Sequence, residues 1–556
     1  MSRIRNHLSI WPWVHFTAFA VCSCVAADRA VIAADTPDTS PDVSPYVGTL
    51  SCSSVSCHGR TEARRGAGSA ARNEFVTWSH FDPHARAAAT IASPAFHEIL
   101  ERLGAVRDGA WNLAVYARCA QCHDPQHESL APPTATVPRT HLASDNINPR
   151  GIGCESCHGP AEKWLAKHFE RNVTRDDLSA LGMVRTKDLA TRGGMCAECH
   201  VGSASRDMNH DMIAAGHPAL RFELVTYHDQ LAKHWDDAGE RLATPEFTAQ
   251  LWAAGQLADA SATLQLSGAR AARAATKSAA ASADHPAAAD TLGLVPVWPE
   301  FAEYNCLSCH QPLRPSSIVN APPRARSRVG LPAWSDWHFA LTDSLLTQLA
   351  LSDTRPPPAP QPSLPSSLRQ LRERMATAPS LGDNSNLSPF ADDIVNALTA
   401  AQTHLQSCGQ NRSTVPFTSR QLVQLVRNFA NEPRDWEATC QLFLALRAAT
   451  RAYRDDVRIL AHRDQISREE ETQRLTACDA DGSRLAAIQR SLSFQNHHDW
   501  PRALDVMATA ADQNPKPRGE SGPTADLTLA QIADEITLLA ARLEQRAEQL
   551  PSLAGR

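Results

Sequence analysis

Five segments of this chain place a histidine directly after the second of two closely spaced cysteines, and we call them Cys-His units. Four have the spacing Cys-x-x-Cys-His, and the first has four residues between its cysteines. In chain order the units are Cys52–His58, Cys119–His123, Cys154–His158, Cys196–His200 and Cys306–His310. The Cys-x-x-Cys-His spacing is typical of covalent haem attachment, in which two thiols add to the haem vinyl groups and the adjacent imidazole binds the iron.

The units therefore predict haem c as the cofactor, with five copies covalently attached to the chain. The predicted attachment residues are Cys52 and Cys57, Cys119 and Cys122, Cys154 and Cys157, Cys196 and Cys199, and Cys306 and Cys309. The predicted iron ligands within the units, called the unit histidines below, are His58, His123, His158, His200 and His310.

Zinc knuckles and disulfides are the alternatives for these cysteines. Cysteine accounts for 15 and histidine for 23 of the 556 residues. At this composition chance gives roughly 0.02 Cys-x-x-Cys-His segments in the whole chain. Zinc, moreover, does not require a histidine after every second cysteine. For the first unit, with its longer loop, a structural disulfide between Cys52 and Cys57 is the alternative.

The ligand opposite each unit histidine decides between electron transfer and catalysis, because an iron with two histidines is closed to small molecules. Twelve histidines between residues 59 and 345 lie outside the units. Those near a unit or a helix start are the predicted second ligands, namely His84, His141, His168, His217 and His338. His210 is the alternative to His217. Met208 or Met212 would be a methionine alternative.

Local patterns indicate the elements that carry these residues. Asp82-Pro83 is a favourable helix start, which puts His84 in a first helical turn. Apolar residues at helical spacing predict a helix over 94–118 that leads into the second unit. A helix predicted over 161–169 follows the third unit and carries His168.

The rest of the chain is also predicted to be helical. The Ala-rich stretch 236–292 predicts two helices, and capping boxes at Thr418 and Thr528 each precede apolar residues at helical spacing. The predicted fold is mainly α, with a multihaem cytochrome c domain of helices and loops around stacked haems, followed by an all-helical bundle. The predicted boundaries are 1–34 for a signal peptide, 47–345 for the multihaem domain, 353–367 for a Pro-rich linker and 368–556 for the helical C-terminal domain.

The N-terminal segment predicts export. A basic start and a mostly apolar run over 8–27 have the layout of a secretory signal peptide, which predicts a periplasmic location. An uncleaved anchor helix, or lipidation at Cys22 or Cys24, is the alternative and would attach the chain to a membrane. In an oxidising compartment, the three other cysteines outside the units (Cys408, Cys440 and Cys478) predict one disulfide and one buried thiol.

Charge limits the partners. The polypeptide has a formal net charge of −6, and the propionates of the haems would make the protein more acidic. This argues against nucleic acid, which requires a basic surface. It favours redox partner proteins with a basic docking surface.

The run Gly-x-Gly-Cys-Glu-Ser-Cys-His-Gly-Pro-Ala-Glu at 151–162, together with a histidine further along the chain, resembles the multihaem cytochrome c-554/c-552 family. The resemblance covers roughly 47–345. It implies a helical, loop-rich fold with closely stacked haems, and a periplasmic electron carrier, notably for hydroxylamine-oxidising systems. The chain departs from the family in its fifth unit, in the longer loop of its first unit and in its helical C-terminal domain.

The functional hypothesis is a periplasmic cytochrome that transfers electrons and is not itself a catalyst. The alternative is an oxidoreductase with one open-faced haem, at the first unit, that acts on a small nitrogen or oxygen species. No Cys-x-x-Cys-Lys unit is present, so the sequence lacks the signature of the lysine-ligated catalytic haem of pentahaem nitrite reductases. Tyrosine occurs only five times, which argues against a tyrosine-crosslinked catalytic haem of the hydroxylamine oxidoreductase type. A third hypothesis is a redox sensor whose C-terminal bundle binds a partner.

Overall fold

The structure is a computed structural model of the chain. It describes residues 46–63, 71–126 (apart from 92, 108, 109 and 112), 151–281, 298–309, 332–352, scattered positions between 368 and 405, 417–430, 435–494, 527–551 and 553. The predicted signal peptide (1–34) and linker (353–367) lie outside the described residues, as do His141 and His310.

The described part of the chain is mainly helical, which confirms the predicted class. A pair of two-residue antiparallel strands, β1 (Val106–Arg107) and β2 (Ala110–Trp111), interrupts the helices. The α-helices are α1 (Glu74–Phe81), α2 (Ala87–Thr90), α3 (Pro94–Arg102), α4 (Leu113–His123), α5 (Cys154–His158), α6 (Arg175–Ala180), α7 (Leu189–His200), α8 (His210–Ala215), α9 (Leu224–Gln230), α10 (Asp237–Ala243), α11 (Phe247–Ala281), α12 (Thr342–Ser352), α13 (Ser419–Ala430), α14 (Trp436–His462), α15 (Arg468–Asp479), α16 (Gly482–Phe494) and α17 (Leu529–Glu548).

Three Cys-His units occupy the C-terminal turn of a helix. The histidine is the last residue of α4, of α5 and of α7. Residues three and four apart on a helix share one face, so a single helical turn directs both thiols and the imidazole of a unit to the same side. This explains why the spacing of the units suits a helix end.

Two predicted helices differ in the structure. The predicted helix over 94–118 is split into α3 and α4, because Gly104 takes a left-handed φ of 67° that ends α3. Residues 161–169 form successive turns, in which the amide of His168 donates to Trp164 O over 3.0 Å. His338 lies in a turn that precedes α12.

One long helix organises the core. α11 has 35 residues and packs against α7, α9 and α14. Its side chains Leu251, Trp252 and Leu257 are fully buried. A continuous cluster of buried apolar residues extends from Ala197 to Ala547, so α7, which carries the fourth unit, shares a core with the C-terminal helices.

The C-terminal helices begin as their sequences predict. Thr418 N donates to Gln421 Oε1 over 2.8 Å, and Gln421 N donates back to Thr418 Oγ1 over 3.2 Å. A second capping box at Thr528 and Gln531 starts α17. Both predicted capping boxes are confirmed. Cys440 and Cys478 are separate buried thiols, and Cys408 lies outside the described residues.

A buried ion pair joins the middle of the chain to the C-terminal helices. Arg241 Nη1 on α10 lies 2.8 Å from Asp455 Oδ2 on α14. The same oxygen accepts the hydroxyl of Thr248 over 2.7 Å. Residues 45–556 form one compact unit, so the described parts on either side of 353–367 pack together.

We expect Asp455→Ala to lower the free energy of unfolding by about 2 kcal/mol, because it removes one of three acids around a buried guanidinium and the acceptor of the Thr248 hydroxyl, while Asp237 and Asp229 remain. Chemical denaturation followed by circular dichroism measures the change. Glu98→Ala, which breaks the exposed pair with Arg102, is the control and should cost less than about 1 kcal/mol. Two separate unfolding transitions in the unmodified protein would contradict a shared core.

Candidate metal centres formed by facing histidine pairs

Eight histidines of the described chain form four facing pairs. Each pair joins one unit histidine to a histidine from outside the units. The ring centroids are 6.2 Å apart in His58–His168, 6.0 Å in His84–His200, 6.3 Å in His123–His217 and 6.4 Å in His158–His234.

These separations fit a metal ion between the two rings. An imidazole nitrogen binds a first-row metal ion at about 2.0 Å and lies about 1 Å from its own ring centroid, so opposed ligands have centroids roughly 6 Å apart. Aromatic rings in ordinary contact are about 4.5–7 Å apart, so distance alone does not distinguish the two cases. A second observation favours a metal ion, because all four described unit histidines pair with a histidine from outside the units.

Three of the five predicted second ligands belong to these pairs. His84, His168 and His217 face His200, His58 and His123, in that order. His210, the alternative to His217, instead contacts the ring of Phe301 at 5.6 Å.

Sequence analysis missed His234, which faces His158. It lies between α9 and α10, with no Cys-His unit beside it. Asp236, two residues further on, caps α10, and this helix start is the local signal that could have indicated His234.

Burial favours the neutral form of five of the eight paired imidazoles, whereas the hydrogen bond with Glu74 raises the pKa of His58. Burial lowers the pKa of His158 and of His200 to about 4. Burial also lowers the pKa of His123, His217 and His234. A histidine must be neutral to bind a metal ion, so these side chains are in the ligating form at pH 7.

Hydrogen bonds at Nδ1 orient several of the rings. His58 Nδ1 lies 2.9 Å from Glu74 Oε2, and His84 Nδ1 lies 2.9 Å from Asp82 Oδ1. Three further rings have a backbone carbonyl as the hydrogen-bond partner of Nδ1. The distances are 2.6 Å from His168 to Leu165 O, 2.8 Å from His217 to Pro218 O and 3.3 Å from His123 to Ala87 O. A bond at Nδ1 leaves Nε2 as the free ligand atom.

Thiols of different units are neighbours. A hydrogen bond from Cys154 lowers the pKa of the Cys52 thiol to about 7, and a bond from Cys122 lowers that of Cys199 to about 7. Cys157 of the third unit lies close enough to Cys196 of the fourth to raise its pKa, although burial is the larger cause. The first four units therefore adjoin in the order first, third, fourth, second.

Glu155 joins the first and third units. Its buried carboxylate accepts the backbone N–H groups of Val47, Gly48 and Ala161 over 3.0, 2.8 and 2.7 Å. A Cβ on Gly153 would lie 1.8 Å from Thr49 Oγ1, so the two units pack too closely for any other residue there. These contacts explain the Gly and Glu of the Gly-x-Gly-Cys-Glu run.

The fifth unit is bounded by a C-terminal helix. Arg221 reaches Cys306 Sγ at 3.7 Å and pairs with the buried Glu437 of α14 at 2.8 Å. Burial, and then the charge of Arg221, lowers the pKa of His338 to about 3. His338 Nδ1 has no hydrogen-bond partner among the described residues. His338 and Cys306 therefore share the surroundings of Arg221.

Glu437 also holds the segment that precedes His338. Its Oε2 accepts the hydroxyl of Ser335 over 2.9 Å and the amide of Asp336 over 3.0 Å. Asn305, the residue before Cys306, donates to Asp435 Oδ2 over 3.1 Å. The start of α14 thus positions residues on both sides of the fifth site.

Comparisons with protein-family models, with curated proteins and with solved structures find no match. Within the described ranges, no group of three or more His, Cys, Asp and Glu side chains is arranged to hold a metal ion. None of the helices in the described part has both the length and the apolar character needed to cross a membrane.

We expect Glu155→Gln to release the segment before the first unit, because an amide has only one accepting oxygen in place of two. Hydrogen bonds to a charged group contribute about 1.5–3 kcal/mol each, so exchange of the Val47 or Gly48 amide should accelerate about tenfold or more. Amide hydrogen exchange measures this. Exposed Glu162→Gln is the control, and equal exchange in both variants would contradict the role of Glu155.

Proposed function

We propose that the protein is a multihaem c-type cytochrome that transfers electrons through covalently attached haems. The observation that carries the proposal is that each described unit histidine faces a second histidine at 6.0–6.4 Å. Haem would be held by the cysteines of each unit and by the four facing pairs. At the fifth unit we propose Cys306, Cys309, His310 and His338 as the corresponding residues.

The donor set of each pair fits haem. Two neutral imidazoles supply two opposed nitrogens, and a porphyrin would supply the four in-plane donors that the protein does not. When bound, haem supplies a one-electron iron couple. The two imidazoles of each pair would both ligate the iron, which would leave no ligand position for water.

The contacts between units support a single electron path. The thiol neighbours Cys52 and Cys154 bring the first and third attachment points together. Cys122 and Cys199 do the same for the second and fourth. The fourth site also adjoins the fifth. His200 stacks on Phe222 with ring centroids 5.2 Å apart. The carbonyl oxygen of Phe222 accepts the indole N–H of Trp337, the residue before His338, over 3.2 Å. The path would therefore reach the fifth site from the fourth.

The oxidoreductase alternative requires an iron with a vacant axial position. The first unit, with its longer loop, is the candidate for that role. His168 faces His58 at 6.2 Å, which weighs against an open face there and favours the electron carrier. The predicted export, the acidic net charge of −6 and the resemblance to cytochrome c-554/c-552 support a periplasmic carrier that exchanges electrons with basic redox partner proteins.

We expect the purified protein to contain five haems per chain, by the pyridine haemochrome assay, and to show low-spin ferric signals for the four paired sites. His234→Ala should convert one haem to high spin without loss of haem, because Cys154 and Cys157 still attach it. Optical and electron paramagnetic resonance spectra, with and without cyanide, measure the change.

His80→Ala is the matched control, because His80 is exposed and lies outside the pairs. It should leave all spectra unchanged. A chain exported with its attachment machinery that carries no haem would contradict the proposed function. A low-spin His234→Ala variant would contradict the assigned ligand alone.

A further inference from the structure

The four histidine pairs differ in what lies behind their rings. Two pairs contain a ring whose Nδ1 is bonded to a carboxylate, through Glu74 at His58 and through Asp82 at His84. In the pair of His123 and His217, both Nδ1 atoms bond backbone carbonyls. In the remaining pair, the ring of His234 has a backbone hydrogen bond at Ala232 and, among the described residues, none with a carboxylate.

Both carboxylates are held in place by further bonds. Glu74 Oε1 accepts the amide of Arg72 over 3.1 Å while Oε2 lies at His58. Asp82 is almost fully buried, and its Oδ1 accepts the amide of His84 over 2.9 Å as well as the ring N–H. The negative charges therefore stay at fixed positions behind the two rings.

A carboxylate behind a ligand histidine changes the metal that the ring binds. It draws the Nδ1 proton and makes the imidazole a stronger donor. Its charge also stabilises the more positive state of a nearby metal ion. Both effects favour ferric over ferrous iron. The charges of Asp82 and Glu74 also reach His234, but without a hydrogen bond to it, so the donor effect is confined to the first and fourth sites.

We propose that Glu74 and Asp82 are positioning residues that hold the first and fourth haem sites at a lower reduction potential than the second and third. This inference rests on the proposed function. Since the units adjoin in the order first, third, fourth, second, sites of low and high potential alternate along the run. Electrons would then reside preferentially on the third and second haems, which are separated by the low-potential fourth haem.

The test uses the holoprotein and two variants that keep the hydrogen-bond acceptor but remove the charge, Glu74→Gln and Asp82→Asn. Asparagine is also a good helix cap, so the turn at His84 is retained. Each variant should raise the low midpoint potential of its own site most, with the equilibrium constant for reduction increasing about tenfold, or 59 mV for a one-electron couple. The third site, which the same charges reach without a hydrogen bond, should shift less. A spectroelectrochemical titration measures the potentials.

Glu170→Gln is the matched control. It removes an exposed carboxylate two residues from His168 that pairs with Lys167 and not with a ring. Because solvent and salt screen an exposed charge, its effect should be well below tenfold. Glu74→Asp, which keeps the charge, should shift the potential less than Glu74→Gln.

The outcomes separate the two proposals. Upward shifts that are largest for one potential in each of the two variants, with unchanged haem content and low-spin spectra, support the inference. Loaded, low-spin variants whose potentials equal those of the unmodified protein, or of Glu170→Gln, overturn the inference and leave the proposed function standing. Absence of haem from the unmodified protein overturns both.

Discussion

All four pairs take at least one histidine from the described part before α7, and each brings distant histidines within about 6 Å of each other. The partners of the four pairs are between 76 and 116 positions apart in the chain, and closing such loops costs conformational entropy. The apolar core in this part is small, a cluster of seven residues around Leu100 and Tyr116. Metal binding can supply folding free energy directly. In the proposed function, covalently attached haem would replace the missing apolar core and offset the cost of loop closure.

The C-terminal helices, in contrast, have a large apolar core. This core also includes α7, so the two parts of the chain are joined by it. α11 packs against α7 on one side and α14 on another, so the helix that ends in His200 is supported by the bundle. Glu437 extends this support to the fifth site through Arg221, Ser335 and Asp336. Removing a buried acid with several partners leaves those partners unsatisfied. The bundle therefore supports the candidate sites of the fourth and fifth units through this shared packing.

Local features of the structure were predictable from the sequence, and tertiary ones were not. The Cys-His units, the turn at Asp82-Pro83 and both capping boxes follow from chemistry within a few residues. The break of the 94–118 helix depends on Gly104, whose left-handed backbone no apolar periodicity reveals. His234 and the contact of Cys52 with Cys154 join segments that are distant in sequence. With one sequence, nothing local indicates such contacts.

Asp82 shows how one side chain links local structure to chemistry. The same oxygen that caps the turn by accepting the amide of His84 also accepts its ring N–H. Asp82 therefore fixes the direction of the His84 ring and also places a negative charge behind it. A substitution that removes the cap would remove both effects. Glu74 reaches His58 from sixteen residues away and is steadied by Arg72. The orientation of His58 thus depends on a contact with helix α1, whereas that of His84 follows from a local turn.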